Sequence, residues 1–205
     1  MPPSTGTIRL TAVGSLALLA IAWGAIPLFV RTETPPTHLV AMRVTLGAVV
    51  LVLFSVATKR LTFPRLGSGR LAVVGVVLAA HWLLFFLSLN LTTVAVSLAI
   101  VYVGPVLAAV FAGPVLYERV SWYAYAGLTV AVVGMVLVIR PGAGATLGGV
   151  AAAGVSGVLL AVLMLLGKPL AADLGGLVVA TWELVVASIV LAPFTVQAVR
   201  FSSDA

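Results

Sequence analysis

Residues 71–117 read LAVVGVVLAAHWLLFFLSLNLTTVAVSLAIVYVGPVLAAVFAGPVLY, 47 positions without one Lys, Arg, Asp or Glu. A helix crossing the ~30 Å hydrocarbon core of a bilayer needs about 20 apolar residues. The stretch is therefore two spans long, and the polar NLTT at 90–93 is the place to turn, giving spans at 71–89 and 94–117. Working outward, apolar runs at 10–30, 37–58, 120–139, 147–167 and 177–199 complete a set of seven helices. The breaks carry turn chemistry: RTETPPTH (31–38), the basic KRLTFPRLGSGR (59–70), RPGAGAT (140–146) and KPLAADLGG (168–176). All are short, so neighbouring helices run antiparallel. The fold class expected is an all-α integral membrane protein.

Composition leads to the same class. Of 205 residues, 62% are hydrophobic and 8% charged, against about 25% charged in a soluble domain. Nucleic acid would require a clustered basic face. Here the eleven Lys and Arg are spread thinly between apolar runs, so no nucleic-acid partner is expected and the lipid bilayer is. Cysteine is absent, which excludes disulfides and thiolate metal sites. No cofactor and no metal are expected.

Basic residues in short loops mark the cytoplasmic side. The loop between spans two and three holds Lys59, Arg60, Arg65 and Arg70, and parity adds Arg9, Arg119 and Lys168, leaving Arg31, Arg140 and Arg200 opposite. The amino terminus is thus expected in the cytoplasm and the carboxyl end of this chain outside, in a multi-pass protein of the cytoplasmic (inner) membrane. The first span, at 21 residues, exceeds the 7–15 of a signal peptide's apolar region and is expected to be retained.

A shift of 140 residues lays HLVAMRVTLGAVVLVLF (38–54) over VVATWELVVASIVLAPF (178–194) without a gap. The implied repeat unit contains five spans. An odd number inverts the second copy, as in the inverted-topology repeats of many secondary transporters.

These residues resemble the EamA domain of the drug/metabolite transporter (DMT) superfamily. The resemblance is carried by AWG (22–24), MRVTLGAVVLVL (42–53) and the long segment from His81 to Gly142, with its proline in the fourth helix, Glu-Arg after it and a glycine-spaced fifth helix. It implies one complete EamA repeat at 8–142, the first two helices of an inverted second repeat at 143–200, and a tail at 201–205. The family-motif positions are Trp23, Gly24, Arg43, Pro105, Glu118, Arg119, Gly127 and Gly134. Family members have ten helices around a central path and move small metabolites. A chain ending after the seventh is expected to be a piece of such a carrier or to work with a complementary chain or a second copy of itself.

Several polar or helix-deforming residues fall within spans. Pro105 and Pro114 free the carbonyls of Val101 and Val110, which need partners from neighbouring helices or cavity water. Gly104-Pro105 matches the family's proline and is expected to line the path, whereas Pro114 is read as a bend. Arg43, about 9 Å into span two at ~1.5 Å per residue, must snorkel, pair or face water, so anchoring and a substrate or gating role both stand. Glu183, the one acid inside a span, is either a proton-relay or cation contact or a snorkelling carboxylate beside Trp182. His81 either hydrogen-bonds a neighbouring helix or titrates. Tyr102 offers its hydroxyl to the path or fills a gap. Gly149, Ala153 and Gly157, four apart, read as a close-packing face of the sixth span, and Gly127 and Gly134 as the same for the fifth.

The expected function is a secondary transporter exporting a small organic metabolite or drug. No G-x-x-x-x-G-K-[ST] phosphate loop occurs, so coupling to protons or exchange replaces ATP, with Glu183 and His81 as the proton candidates. The alternative is a truncated membrane subunit that dimerises or scaffolds a partner without transporting. The two histidines and one intramembrane acid do not assemble the acid, base or metal set an enzyme needs.

Overall fold

In hydrocarbon each backbone N–H and C=O must be satisfied inside its own segment, so long apolar runs become helices. The structure is a computed structural model describing residues 35–63, 69–118, 121–138 and 145–203, all within the unit Thr34–Ala205. Its helices are α1 (Pro36–Ala57), α2 (Gly69–Leu91), α3 (Val94–Val101), α4 (Val103–Leu116), α5 (Trp122–Val138), α6 (Leu147–Leu174) and α7 (Gly176–Ser203). Five stretches are long and apolar enough to cross a membrane, with α3 and α4 together forming one of 23 residues.

The ends follow local chemistry. Pro36 opens α1, where a missing N–H is no loss and φ is already helical. Past Ala57, Thr58 Oγ1 donates to the Phe54 carbonyl at 2.8 Å and Lys59 turns left-handed at φ 54°. At NLTT the turn forms where expected: Thr93 caps α3 by accepting from Val96 N–H at 3.2 Å, and the Ser88 and Ser97 hydroxyls meet behind it. Thr146 caps α6 and donates its hydroxyl to the Leu91 carbonyl at 2.8 Å, tying the start of α6 to the end of α2.

One expectation is corrected and two spans are refined. The loop placed at 168–176 is helix up to Leu174, and Gly175 alone makes the turn, at φ 86°. Pro169 is accommodated inside α6, which membrane helices allow when neighbours re-satisfy the freed carbonyl. The span at 94–117 is two helices parted at Tyr102. The fifth span is a 17-residue helix, shorter than the five stretches that reach crossing length, so among the described residues five of the seven expected transmembrane helices reach that length. The first span, with Trp23 and Gly24, lies outside the described residues, as does Arg119.

α6 is the hub. It packs on α2, on the α3–α4 pair and on α7, while α1 lies against α7 and α2, and α5 touches α3 and α4. Small side chains explain the hub's reach. A Cβ on Gly149 would stand 2.9 Å from the Leu91 carbonyl, one on Gly157 would stand 3.1 Å from the Val101 carbonyl, and Ala153 between them is fully buried. Lipid tails are as apolar as leucine, so such backbone approach, with buried hydroxyls, replaces the hydrophobic drive between helices. The glycines of α5 behave otherwise: nothing stands within 4 Å of a Cβ at Gly127 or Gly134. The packing face expected there is unfilled among the described residues.

Paired contacts fix directions. Thr45 bonds Thr195 and Ser55 bonds Thr181, so numbers rise along α1 as they fall along α7, and the two are antiparallel. His81 with Ser156 and Leu91 with Thr146 establish the same for α2 and α6. One end gathers Leu71, Val74, Leu170 and Val179 in a buried cluster with Trp182 against it. Glu118 pairs with Lys168 there. Lys59, Arg60, Arg70 and Lys168 therefore share an end, as parity requires.

Candidate functional site

Val40, Val44 and Ala48 are the buried stripe of α1, and Arg43 leaves the helix beside it, half-buried. Its guanidinium carbon lies 4.4 Å from the centre of the Trp82 ring on α2. A cation over an indole face is worth ~0.5–2 kcal/mol, more as water is removed. Trp82 is in turn held by edge-to-face contacts with Phe85 and Phe86, at 5.9 and 5.8 Å between ring centres. HWLLFF (81–86) thus builds an aromatic wall whose Trp82 ring carries the arginine.

His81 turns to α6. Its Nδ1 lies 2.9 Å from both the carbonyl and the hydroxyl of Ser156, and that hydroxyl donates to the His81 carbonyl at 3.0 Å. All three contacts are satisfied together when Nδ1 carries the proton and donates. Both residues are buried, so of the two readings for His81 this geometry is the interhelical bond.

At the first proline, Tyr102 parts α3 from α4, and Pro105 is the third residue of α4. In a first turn the missing N–H has no partner to lose. Gly104 lies directly on α6: a Cβ there would meet the Gly157 carbonyl at 2.6 Å. Gly104 is therefore a contact between helices, Pro105 is half-buried and Tyr102 is exposed. Pro114 sits inside α4 near its end, and Tyr117 ends that helix left-handed at φ 56°.

The other expected residues lie towards the basic end. Trp182 donates its indole N–H to the Thr62 carbonyl at 2.9 Å and leans on Phe63, fastening the loop to α7. Glu183 is half-buried. Since Thr45 faces Thr195 and Ser55 faces Thr181 across the α1–α7 pair, Glu183 stands about three to four turns from the level of Arg43, and no ion pair joins them. Arg43 and His81 are brought to one aromatic cluster, whereas Glu183 and Trp182 stand apart from it.

Trp82, Ser156 and Gly75 were not singled out as site residues. A Cβ on Gly75 would lie 2.4 Å from Val186 Cβ, so α2 and α7 touch backbone to side chain. The signal for Trp82 was its place next to His81, and for Ser156 its place inside the small-residue stripe of α6.

The model of the EamA-like transporter family matches residues 10–140, well over half of the chain. The chain belongs to the EamA-like transporter family. No curated protein and no solved structure is matched by it. Membership and the apolar helices make this a multi-pass membrane protein of the drug/metabolite transporter type, set in lipid and acting on a small-molecule substrate. The family is one of transporters, not of enzymes.

Proposed function

We propose that the chain forms part or all of a secondary carrier that exports a small organic metabolite or drug across the cytoplasmic membrane, driven by protons or by exchange. The observation that carries this reading is the family match over 10–140. Arg43, held inside a span against Trp82, gives the route a polar contact. Charged groups at this depth are rare and mark solute or ion pathways. The inverted repeat belongs to the same reading, and the antiparallel α1–α7 pair, bonded at Thr45–Thr195 and Ser55–Thr181, fits two equivalent helices meeting about a pseudo-twofold axis.

In this reading Arg43 borders the solute path and Glu183 takes the coupling proton. His81, bonded on both sides to Ser156, braces α2 against α6, and the basic loop Lys59–Arg70 faces the cytoplasm. The test is solute flux in vesicles containing only this chain, with an imposed pH gradient. Gradient-driven accumulation is expected with the wild type, loss of the gradient's effect with Glu183→Gln, and loss of flux with Arg43→Ala. Flux indifferent to both substitutions would overturn the assignment.

A further inference from the structure

Arg43 lacks an acceptor among the described residues. A guanidinium presents five N–H donors in a rigid plane, yet no carboxylate or carbonyl among the described residues receives one, and Nη1 is buried without a hydrogen-bond partner. The Trp82 ring balances part of the charge but its π face does not take the place of oxygen acceptors. The other described acids are engaged or remote: Glu118 is paired with Lys168 at the basic end, Asp173 lies in the last turn of α6 at that same end, and Glu183 is about three to four turns away. Burying a donor without a partner is costly, and more so when it is charged.

We propose that Arg43, seated on Trp82, is the receptor for the anionic head of a bound molecule, a carboxylate or a phosphate. Both groups match the guanidinium fork with two parallel hydrogen bonds, which an amide or an alcohol does not. The carrier's substrate class is then an organic anion, and this step rests on the reading that α1 borders the solute path. Arg43 lies about 10 Å from the start of α1, within reach of a lipid phosphate as well, so the source of the anion has to be separated.

The experiment follows modification of arginines by phenylglyoxal in the full chain, with peptide mass spectrometry reading Arg43 against Arg60 and Arg70. In the uncharged, phosphate-free detergent dodecyl maltoside, benzoate, acetate and phenyl phosphate are compared with benzamide, acetamide and phenol. At least one acid is expected to slow labelling of Arg43 about tenfold relative to its uncharged twin, as a charge-assisted pair would, and to leave Arg60 and Arg70 unchanged. Acids and twins acting alike, or acids protecting all three arginines equally, overturn the proposal. Protection in phosphatidylcholine nanodiscs without solute keeps the receptor and assigns its anion to a headgroup. Arg43→Lys gives a check that keeps the charge: acid binding, read by thermal shift, should weaken about tenfold, and an unchanged acid preference would overturn the two-pronged contact. Vesicle flux is measured separately. Flux without any preference for acids, together with no headgroup protection in nanodiscs, sinks this inference alone, and acid protection without flux sinks the carrier reading alone.

Discussion

Gly104 of α4 and Gly157 of α6 meet backbone to backbone: a methyl group on Gly104 would come within 2.6 Å of the Gly157 carbonyl. The carbonyls of Ile100 and Val101, one turn earlier, also crowd Gly157, at 3.2 and 3.1 Å from where a Cβ would stand. The proline-bearing strand of the bundle is thus fastened to the hub by absent side chains. Gly104→Ala is expected to push α4 from α6 and destabilise the protein by ~1–3 kcal/mol. Gly127→Ala, with nothing within 4 Å, should be neutral or slightly stabilising. Thermal unfolding of the two variants in one detergent checks the contrast.

The Gly75–Val186 contact makes a compensable pair. Gly75→Ala alone places its Cβ 2.4 Å from Val186 Cβ and should destabilise by ~1–3 kcal/mol. Val186→Ala leaves a Cβ in place, so its rescue should be partial, whereas Val186→Gly should recover most of the loss. A double-mutant cycle with no coupling between the sites would refute this contact.

His81 and Ser156 should behave as a brace. Ser156→Ala removes one acceptor and leaves the Ser156 carbonyl for Nδ1, so a loss of ~0.6 kcal/mol, the average for hydrogen bonds between membrane helices, is expected. His81→Ala also removes a buried ring from the aromatic wall and should lose ~2–5 kcal/mol, as large-to-small core changes do. Equal effects of the two substitutions would contradict the geometry.

The Lys168–Glu118 ion pair is exposed on both sides, at 59% and 41%. Exposed pairs contribute ~0–1 kcal/mol and weaken in salt. Lys168→Ala should leave stability within that range, and the double-mutant coupling with Glu118→Ala should fall as salt is raised.

Sidedness is open to direct test because the chain contains no cysteine. Single cysteines at Lys59 and Lys168 should react with a membrane-impermeant maleimide from one side of the membrane, and a cysteine at Thr146 from the other. Lys59 and Lys168 labelling from opposite sides would break the topology.

Much of this bundle could be read before any coordinates. Charge-free runs bounded by NLTT and by the basic loop set the spans to within a few residues, since helices in lipid have no alternative way to satisfy their backbones. The small-residue stripe Gly149–Ala153–Gly157 was legible for a related reason, as close approach requires missing side chains. Other features depended on neighbours in space. Whether Lys168-Pro169 ends a helix is decided by what surrounds its freed carbonyl, and the chain runs on to Leu174. The glycine spacing of α5 looked like that of α6, yet α5 has no partner against Gly127 among the described residues. Arg43 was visible as an anomaly, but its seat on Trp82 joins residues 39 apart and has no local signature.

With Gly175 the single residue between Leu174 and Gly176, α6 and α7 have no slack in their joint. The start of α7 therefore stays within one residue's reach of the end of α6, whereas the crossing made by α3 and α4 is divided into two rods at Tyr102.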